Sequence, residues 1–525
     1  MLRMRSPLSV YFTLLMKRSD LTNIMSNGEP QFRAEVLSSS SIAPPPTEAM
    51  EDVALLAGHP RISHAFLLTA SQLVRRLLRF AFGLIVARSL GAENFGVYAV
   101  LFAVTEMLSW ASGTGFSEYL ARETAKDPAE GWQIAPQMAL LRLIYTVPLV
   151  LAGVGILSLL RYPRWVLVAC AFFCLTLVPR AVSEVVQGVL RGQMLYAGFC
   201  SIEIAQGMPL LLGGGFLLVN GGGLKVAIAT EVIASAIACV VALVVAIRLR
   251  ARRGKWGEWS TLVKRTLPFN IYPLASILYD KVDAVMISKL AGDYATGIYG
   301  VAYAGLGALQ LLPYGILVSI LPALSRGTWG APQKQRLENA MGLLLNVGLL
   351  AVLGAMFFSG SVVHWLLGPG YTDSAVAIQI LMWAIIPRYI NFALGIGLLA
   401  MRRERVFIVT SSICLVVNVV SNLVLIPRFS WRAAAYVTIF TELVLLAQNV
   451  WWIRRTVGTI PVPLRAARSS AVFIALLLMT LLGKNLVSPI VMGSVSIGMF
   501  LAYVYRSGMI LEFKAAWQAT PDITG

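Results

Sequence analysis

ARSLGAENFGVY (Ala87 to Tyr98) returns about 200 residues later as SKLAGDYATGIY (Ser288 to Tyr299). Each copy reads as a basic residue, a leucine, small residues, an acid, then glycine, a β-branched residue and tyrosine, allowing one single-residue gap. A second pair of anchors keeps a similar interval. Val178-Pro179-Arg180 and Ile386-Pro387-Arg388 each place a proline and then an arginine inside an apolar segment. The two halves of the chain are therefore expected to be copies of one helical bundle, an internal symmetry that marks many transporters.

Outward from these anchors the chain is a membrane sequence. Of its 525 residues 58% are hydrophobic and only 13% charged, outside the soluble range. A net charge of +18 does not mark a nucleic-acid partner, because the basic residues collect in short breaks between apolar segments. Cys170, Cys174, Cys200, Cys239 and Cys414 all lie in apolar segments and read as packing residues, not disulfides or metal ligands. From residue 64 onward, about fourteen apolar segments of roughly 20 residues recur, the length a hydrocarbon core requires.

Residues 1–62, rich in Ser, Pro and Glu, read as a disordered cytoplasmic tail, with Met25 as a candidate alternative start. A six-helix lobe is expected over 63–248, a basic cytoplasmic linker over 249–265 and a second six-helix lobe over 266–455. Two additional helices (456–508) and a cytoplasmic tail (509–525) complete the chain. Lys and Arg in the breaks place both termini in the cytoplasm. An offset of six helices keeps both copies in the same orientation, giving two parallel lobes around a central cavity. The fold class is thus all-α polytopic.

Charges inside the segments are the candidate working groups, since each costs roughly 2.5 to 3.5 kcal/mol without a partner or water. Gln72, Arg75, Arg76 and Arg79 are spaced for one face of the first helix. They form a cationic cavity stripe, or else Arg75 and Arg76 snorkel to the headgroups and only Arg79 is internal. Arg180 and Arg388 occupy matching places in the two copies, and Glu184 is one turn from Arg180. In the seventh segment Ser276, Tyr279, Asp280 and Asp283 make an acidic stripe, with Lys281 to one side. Arg79 is expected to pair with Asp280 or Asp283 in one state, to be displaced by an anionic substrate; alternatively Asp280 pairs with Lys281. Glu106, Arg142, Glu203, Glu231 and Glu442 are further intramembrane charges to which the sequence assigns no role. No metalloprotease, nucleophile-elbow or phosphate-loop pattern occurs in an accessible loop, so the expectation is a non-enzyme without cofactor or metal.

These residues resemble a known family, the Wzx-like polysaccharide and O-antigen flippases of the multidrug/oligosaccharidyl-lipid/polysaccharide (MOP) superfamily, which also holds the MATE exporters. The resemblance rests on Ala87-Arg88-Ser89-Leu90-Gly91 with Phe95-Gly96-Val97-Tyr98, and on Leu278 to Asp283 followed by Gly297-Ile298-Tyr299 and Ala302. Leu321-Pro322 to Ser325-Arg326 and Asn418 to Leu425-Ile426-Pro427 also fit. It implies two lobes alternating between inward and outward openings in the bacterial inner membrane. The implied cargo is an undecaprenyl-pyrophosphate-linked oligosaccharide for O-antigen or exopolysaccharide synthesis, with Arg75, Arg76, Arg79, Arg180 and Arg388 lining its path. Asp280, Asp283, Lys281 and Glu184 would act as their charge partners. Membrane lipid, and other polysaccharide biosynthesis membrane proteins, would be its neighbours. The alternatives are a lipid-linked cell-wall precursor flippase and a multidrug exporter of the same superfamily, although an arginine-led lining is a poor host for cationic drugs.

Overall fold

Gly91 and Gly292 break the helical path without an intervening loop. Helix α1 runs Ile62–Ala111 and is broken at Gly91, whose φ of 73° is non-helical. Helices α9 (Trp259–Ala291) and α10 (Asp293–Leu309) meet at Gly292, with φ of 92°. A side chain at either position would be strained, so glycine is required for conformation. In this computed structural model residues 62–249, 257–310, 313, 324, 329–401, 403–458, 464–483 and 488–508 are described. The expected C-terminal tail, the expected N-terminal tail up to residue 61 with Met25 in it, and residues 250–256 of the basic linker lie outside them.

The described residues are helical, with no strand among them. After α1 come α2 (Thr114–Lys126), α3 (Pro128–Leu159), α4 (Arg164–Cys174), α5 (Leu177–Gly192), α6 (Tyr196–Met208), α7 (Gly215–Val219) and α8 (Leu224–Arg248). Beyond α9 and α10 follow α11 (Ala331–Leu367), α12 (Thr372–Leu381), α13 (Ile385–Ala400), α14 (Glu404–Phe429), α15 (Trp431–Val457), α16 (Leu464–Gly483) and α17 (Pro489–Arg506). Local chemistry sets the starts. Asp127 accepts a hydrogen bond from the Ala129 amide at 2.8 Å while Pro128 opens α3, and Ser488 with Pro489 does the same for α17.

Nine helical stretches among the described residues are long and apolar enough to cross a membrane. Helix α9 is not one of them; it carries Lys264, Arg265, Asp280, Lys281, Asp283 and Lys289.

Buried apolar residues divide into three clusters, and the division shows how the halves meet. One cluster spans both halves, from Phe82, Tyr98 and Leu177 to Ile298, Tyr371 and Trp431. The other two stay on one side: Phe116, Trp132 and Leu190 in the N-terminal half, joined by Leu262 from the start of α9, and Leu344, Tyr389 and Phe500 in the C-terminal half. The halves therefore form two lobes that share a core where the two sequence copies lie, here the motif end, and have separate cores toward the linker end.

Candidate functional site: a latched end and two charge arrays

At the motif end the two copies cross each other. A Cβ on Gly96 would overlap the backbone carbonyl of Asp293, and one on Gly297 would overlap the carbonyl of Ala92. Absence of a side chain is what permits this approach. The basic residues of the two copies also reach across reciprocally. Arg88 Nη1 donates to the carbonyls of Trp365 and Leu366 at 3.2 and 3.1 Å, at the C-terminal end of α11, where a cation is favoured. Lys289 Nζ donates to the carbonyl of Arg161 at 3.5 Å, just past the end of α3.

Two tyrosines complete the latch. Tyr371 donates to the Ala87 carbonyl at 2.7 Å, and Tyr162 donates to Ser288 Oγ at 3.1 Å, which in turn donates to Asp293 at 2.5 Å. Burial raises the Tyr162 hydroxyl above its ordinary value and keeps it a proton donor.

Below the latch each lobe holds its own charges. Arg75 pairs with Glu203 of α6, and Arg79 with both oxygens of Glu231 of α8, at 3.1 and 3.2 Å. Arg180 reaches Glu106 at 2.7 Å and Glu184 at 3.2 Å, and Glu184 is shared with the fully buried Arg142 at 2.7 Å. Arg76 sits half-buried on the same helix as Arg75 and Arg79. In the C-terminal lobe Arg388 pairs with Glu442 at 2.7 Å and lies 3.8 Å from Asp280, which Lys281 approaches to 3.0 Å. Asn391 donates to Glu442 at 3.0 Å, Tyr279 donates to it at 3.3 Å, and Tyr303 donates to Asp280. The carboxylates that the sequence left without roles are thus the counter-ions of its arginines.

The pairing expected between Arg79 and Asp280 or Asp283 does not occur in this conformation. Among the described residues, every mid-helix ion pair lies within one lobe, because the lobes keep separate cores toward the linker end. Asp280 instead pairs with Lys281, the local alternative.

Asp283 stands apart from its expected partners. It accepts from Asn422 at 2.9 Å, Tyr299 at 2.8 Å and Thr438 at 3.4 Å, with Asn418 bonded to Asn422 at 3.1 Å. The signal for this cluster was two asparagines one turn apart in an apolar stretch of α14. Tyrosine ends both sequence copies, and both tyrosines bind a buried carboxylate: Tyr299 donates to Asp283, and Tyr98 to Glu231 at 2.7 Å. Latch and charge arrays are therefore bonded to each other in each lobe.

The sequence matches the family model for polysaccharide biosynthesis proteins over residues 63–328. No curated protein is matched by the sequence. Among solved structures the chain is similar to the lipid II flippase MurJ in an inward closed conformation, with 12% identity, a TM-score of 0.64 and coverage of 84% of this chain and 99% of that one. It is also similar to an inward-facing multidrug resistance MATE family transporter of the MOP superfamily, at 14% identity, TM-score 0.60, covering 74% and 95%. A third is a MOP superfamily transporter from Pyrococcus furiosus, at 15% identity, TM-score 0.51, covering 75% and 94%. At these identities the likeness shows the fold: an all-helical membrane bundle of the MurJ and MATE type.

Proposed function

Because the chain belongs to the polysaccharide biosynthesis protein family, we propose that it is a flippase that moves undecaprenyl-pyrophosphate-linked oligosaccharide units across the bacterial cytoplasmic membrane. The observation that carries this reading is the row of Arg75, Arg79 and Arg180. Arg75 and Arg79 are the more exposed members of their pairs, at 38% and 30%, with Glu203 and Glu231 behind at 7% and 3%, and Arg180 is about as exposed as Glu106 and Glu184, at 20% against 16% and 18%. A pyrophosphate needs cationic donors in a site poor in water, and guanidinium groups supply them in forked geometry.

On this reading the motif end is periplasmic, as the loop charges require, and both termini are cytoplasmic. The latched arrangement then opens toward the cytoplasm and receives the lipid-linked unit on the arginine face. Unlatching at Gly96, Gly297, Arg88 and Lys289, with closure at the linker end, exposes the same face to the periplasm. Intralobe pairing gives Arg75, Arg79, Arg180 and Arg388 counter-ions while cargo is absent, so that the phosphate exchanges one anion for another as it enters.

The test is leaflet-resolved detection of lipid-linked oligosaccharide in a deletion strain complemented with wild type or with Arg79→Ala plus Arg388→Ala. Precursor on the cytoplasmic side, cleared by wild type and retained with the double variant, supports the reading. Normal surface glycan with no precursor build-up rejects the cargo.

A further inference from the structure

Arg142 of α3 has no place on the arginine face, because its side chain is only 1% exposed. Glu184 of α5 bridges it to Arg180: Glu184 Oε2 lies 2.7 Å from Arg142 Nη2, and Oε1 accepts from Arg180 Nε at 3.2 Å. Arg142 is held by charge alone. Its Nε, Nη1 and Nη2 are buried and make no hydrogen bond among the described residues, and Glu184 is its one ion-pair partner among them. A buried cation with unmet donors is costly, and an apolar side chain of similar size would join α3 to α5 at lower cost. Packing therefore does not explain an arginine here, whereas charge does. Arg180 faces two carboxylates, Glu106 at 2.7 Å and Glu184 at 3.2 Å. Those three groups alone would carry a net negative charge and repel a pyrophosphate; with Arg142 on the far oxygen of Glu184, two cations meet two anions.

We propose that Arg142 is a positioning residue for cargo binding: from the interior it engages Glu184, cancels the charge of that carboxylate and so leaves Arg180 able to accept phosphate, an inference that rests on the lipid-pyrophosphate cargo of the preceding subsection. Of the two arginine contacts of Glu184, the one to Arg142 is the shorter. A phosphate oxygen that displaces Glu184 from Arg180 Nε leaves the carboxylate on Arg142, so no charge is stranded in the interior. Arg180 Nη1 keeps Glu106 meanwhile, and the guanidinium stays anchored at one edge while the other edge serves the cargo. Arg142 itself never meets the cargo.

The experiment titrates farnesyl pyrophosphate against the purified full chain and its variants. Arg142→Met is expected to weaken binding about tenfold, Glu184→Gln to tighten it by a similar factor, and the double variant to recover an affinity near that of the parent. Arg142→Lys, which keeps the charge and loses the fork, is expected to stay within about threefold of the parent. A merely structural tether gives a different pattern, in which neither single variant tightens binding and the double is no better than either. Parental affinity in a folded Arg142→Met protein, no tightening in Glu184→Gln, or an Arg142→Lys as weak as Arg142→Met overturns the role while leaving the cargo class standing. Should Arg142→Met not fold, the double variant set against Glu184→Gln alone isolates the same charge: binding weaker by about tenfold supports the role, and equal affinity overturns it. Failure of farnesyl pyrophosphate to bind the parent overturns the cargo class and the role with it.

Discussion

Gly297→Ala should hold the motif end open. The new methyl group would fall on the Ala92 carbonyl, a backbone group that has no rotamer to retreat into. Overpacking of this kind costs about 1 to 3 kcal/mol, and it is charged only to the latched state, because the copies part when the latch opens. A differential of that size shifts the ratio of latched to unlatched molecules by about 5- to 150-fold. The assay is a distance measurement between spin labels at Asn220→Cys and Arg428→Cys, two exposed motif-end positions on opposite lobes, in a variant with the 5 native cysteines replaced. The short-distance population of the parent should move to longer distances. Gly305→Ala on the same helix is the control, since a Cβ there meets nothing within 4 Å. A folded Gly297→Ala protein with the parent's distance distribution would refute the argument that this crossing holds the end closed.

Other outcomes follow from the same geometry. Arg79→Ala strands Glu231 in the interior and should lower stability by about 3 to 5 kcal/mol; adding Glu231→Gln should recover most of the thermal unfolding temperature without restoring transport. Tyr98→Phe leaves the Arg79–Glu231 pair intact and removes one hydrogen bond, so a loss of about 1 kcal/mol is expected in the same unfolding measurement. Arg88→Ala removes a cation from the end of α11, worth about 0.3 to 1 kcal/mol, and should move the spin-label distances in the direction of Gly297→Ala but by less.

The residue types of the site were readable from sequence, and their partners were not. The stripe of Arg75, Arg76 and Arg79 and the matched Arg180 and Arg388 follow from helical spacing and from the two Pro-Arg anchors. Their counter-ions lie 152 residues away for Arg79, 74 for Arg180 and 54 for Arg388, and periodicity within one helix carries no information about which neighbour it packs against. Spacing therefore offers the acidic stripe of α9 to Arg79 as readily as Glu231, and only the packing of α1 against α8 shows that Glu231 is the partner. The same limit applies to glycine. Gly96 and Gly297 read as generic small residues until the carbonyls opposite them are located, and Gly91 and Gly292 give away their role only through a positive φ.

Confinement of the mid-helix ion pairs among the described residues to a single lobe has an electrical consequence. Carrying one elementary charge through a membrane potential involves about 2.3 kcal/mol per 100 mV. When a lobe rocks as a unit, Arg79 travels with Glu231, Arg180 with Glu106, and Arg388 with Glu442. Opposite charges moving together through the field do compensating work, so these pairs add almost nothing to the voltage dependence of the unloaded return step. On the proposed function, the step that carries the anionic cargo is therefore expected to be the more sensitive to membrane potential, and a flux assay run with and without an imposed potential would separate the two legs of the cycle.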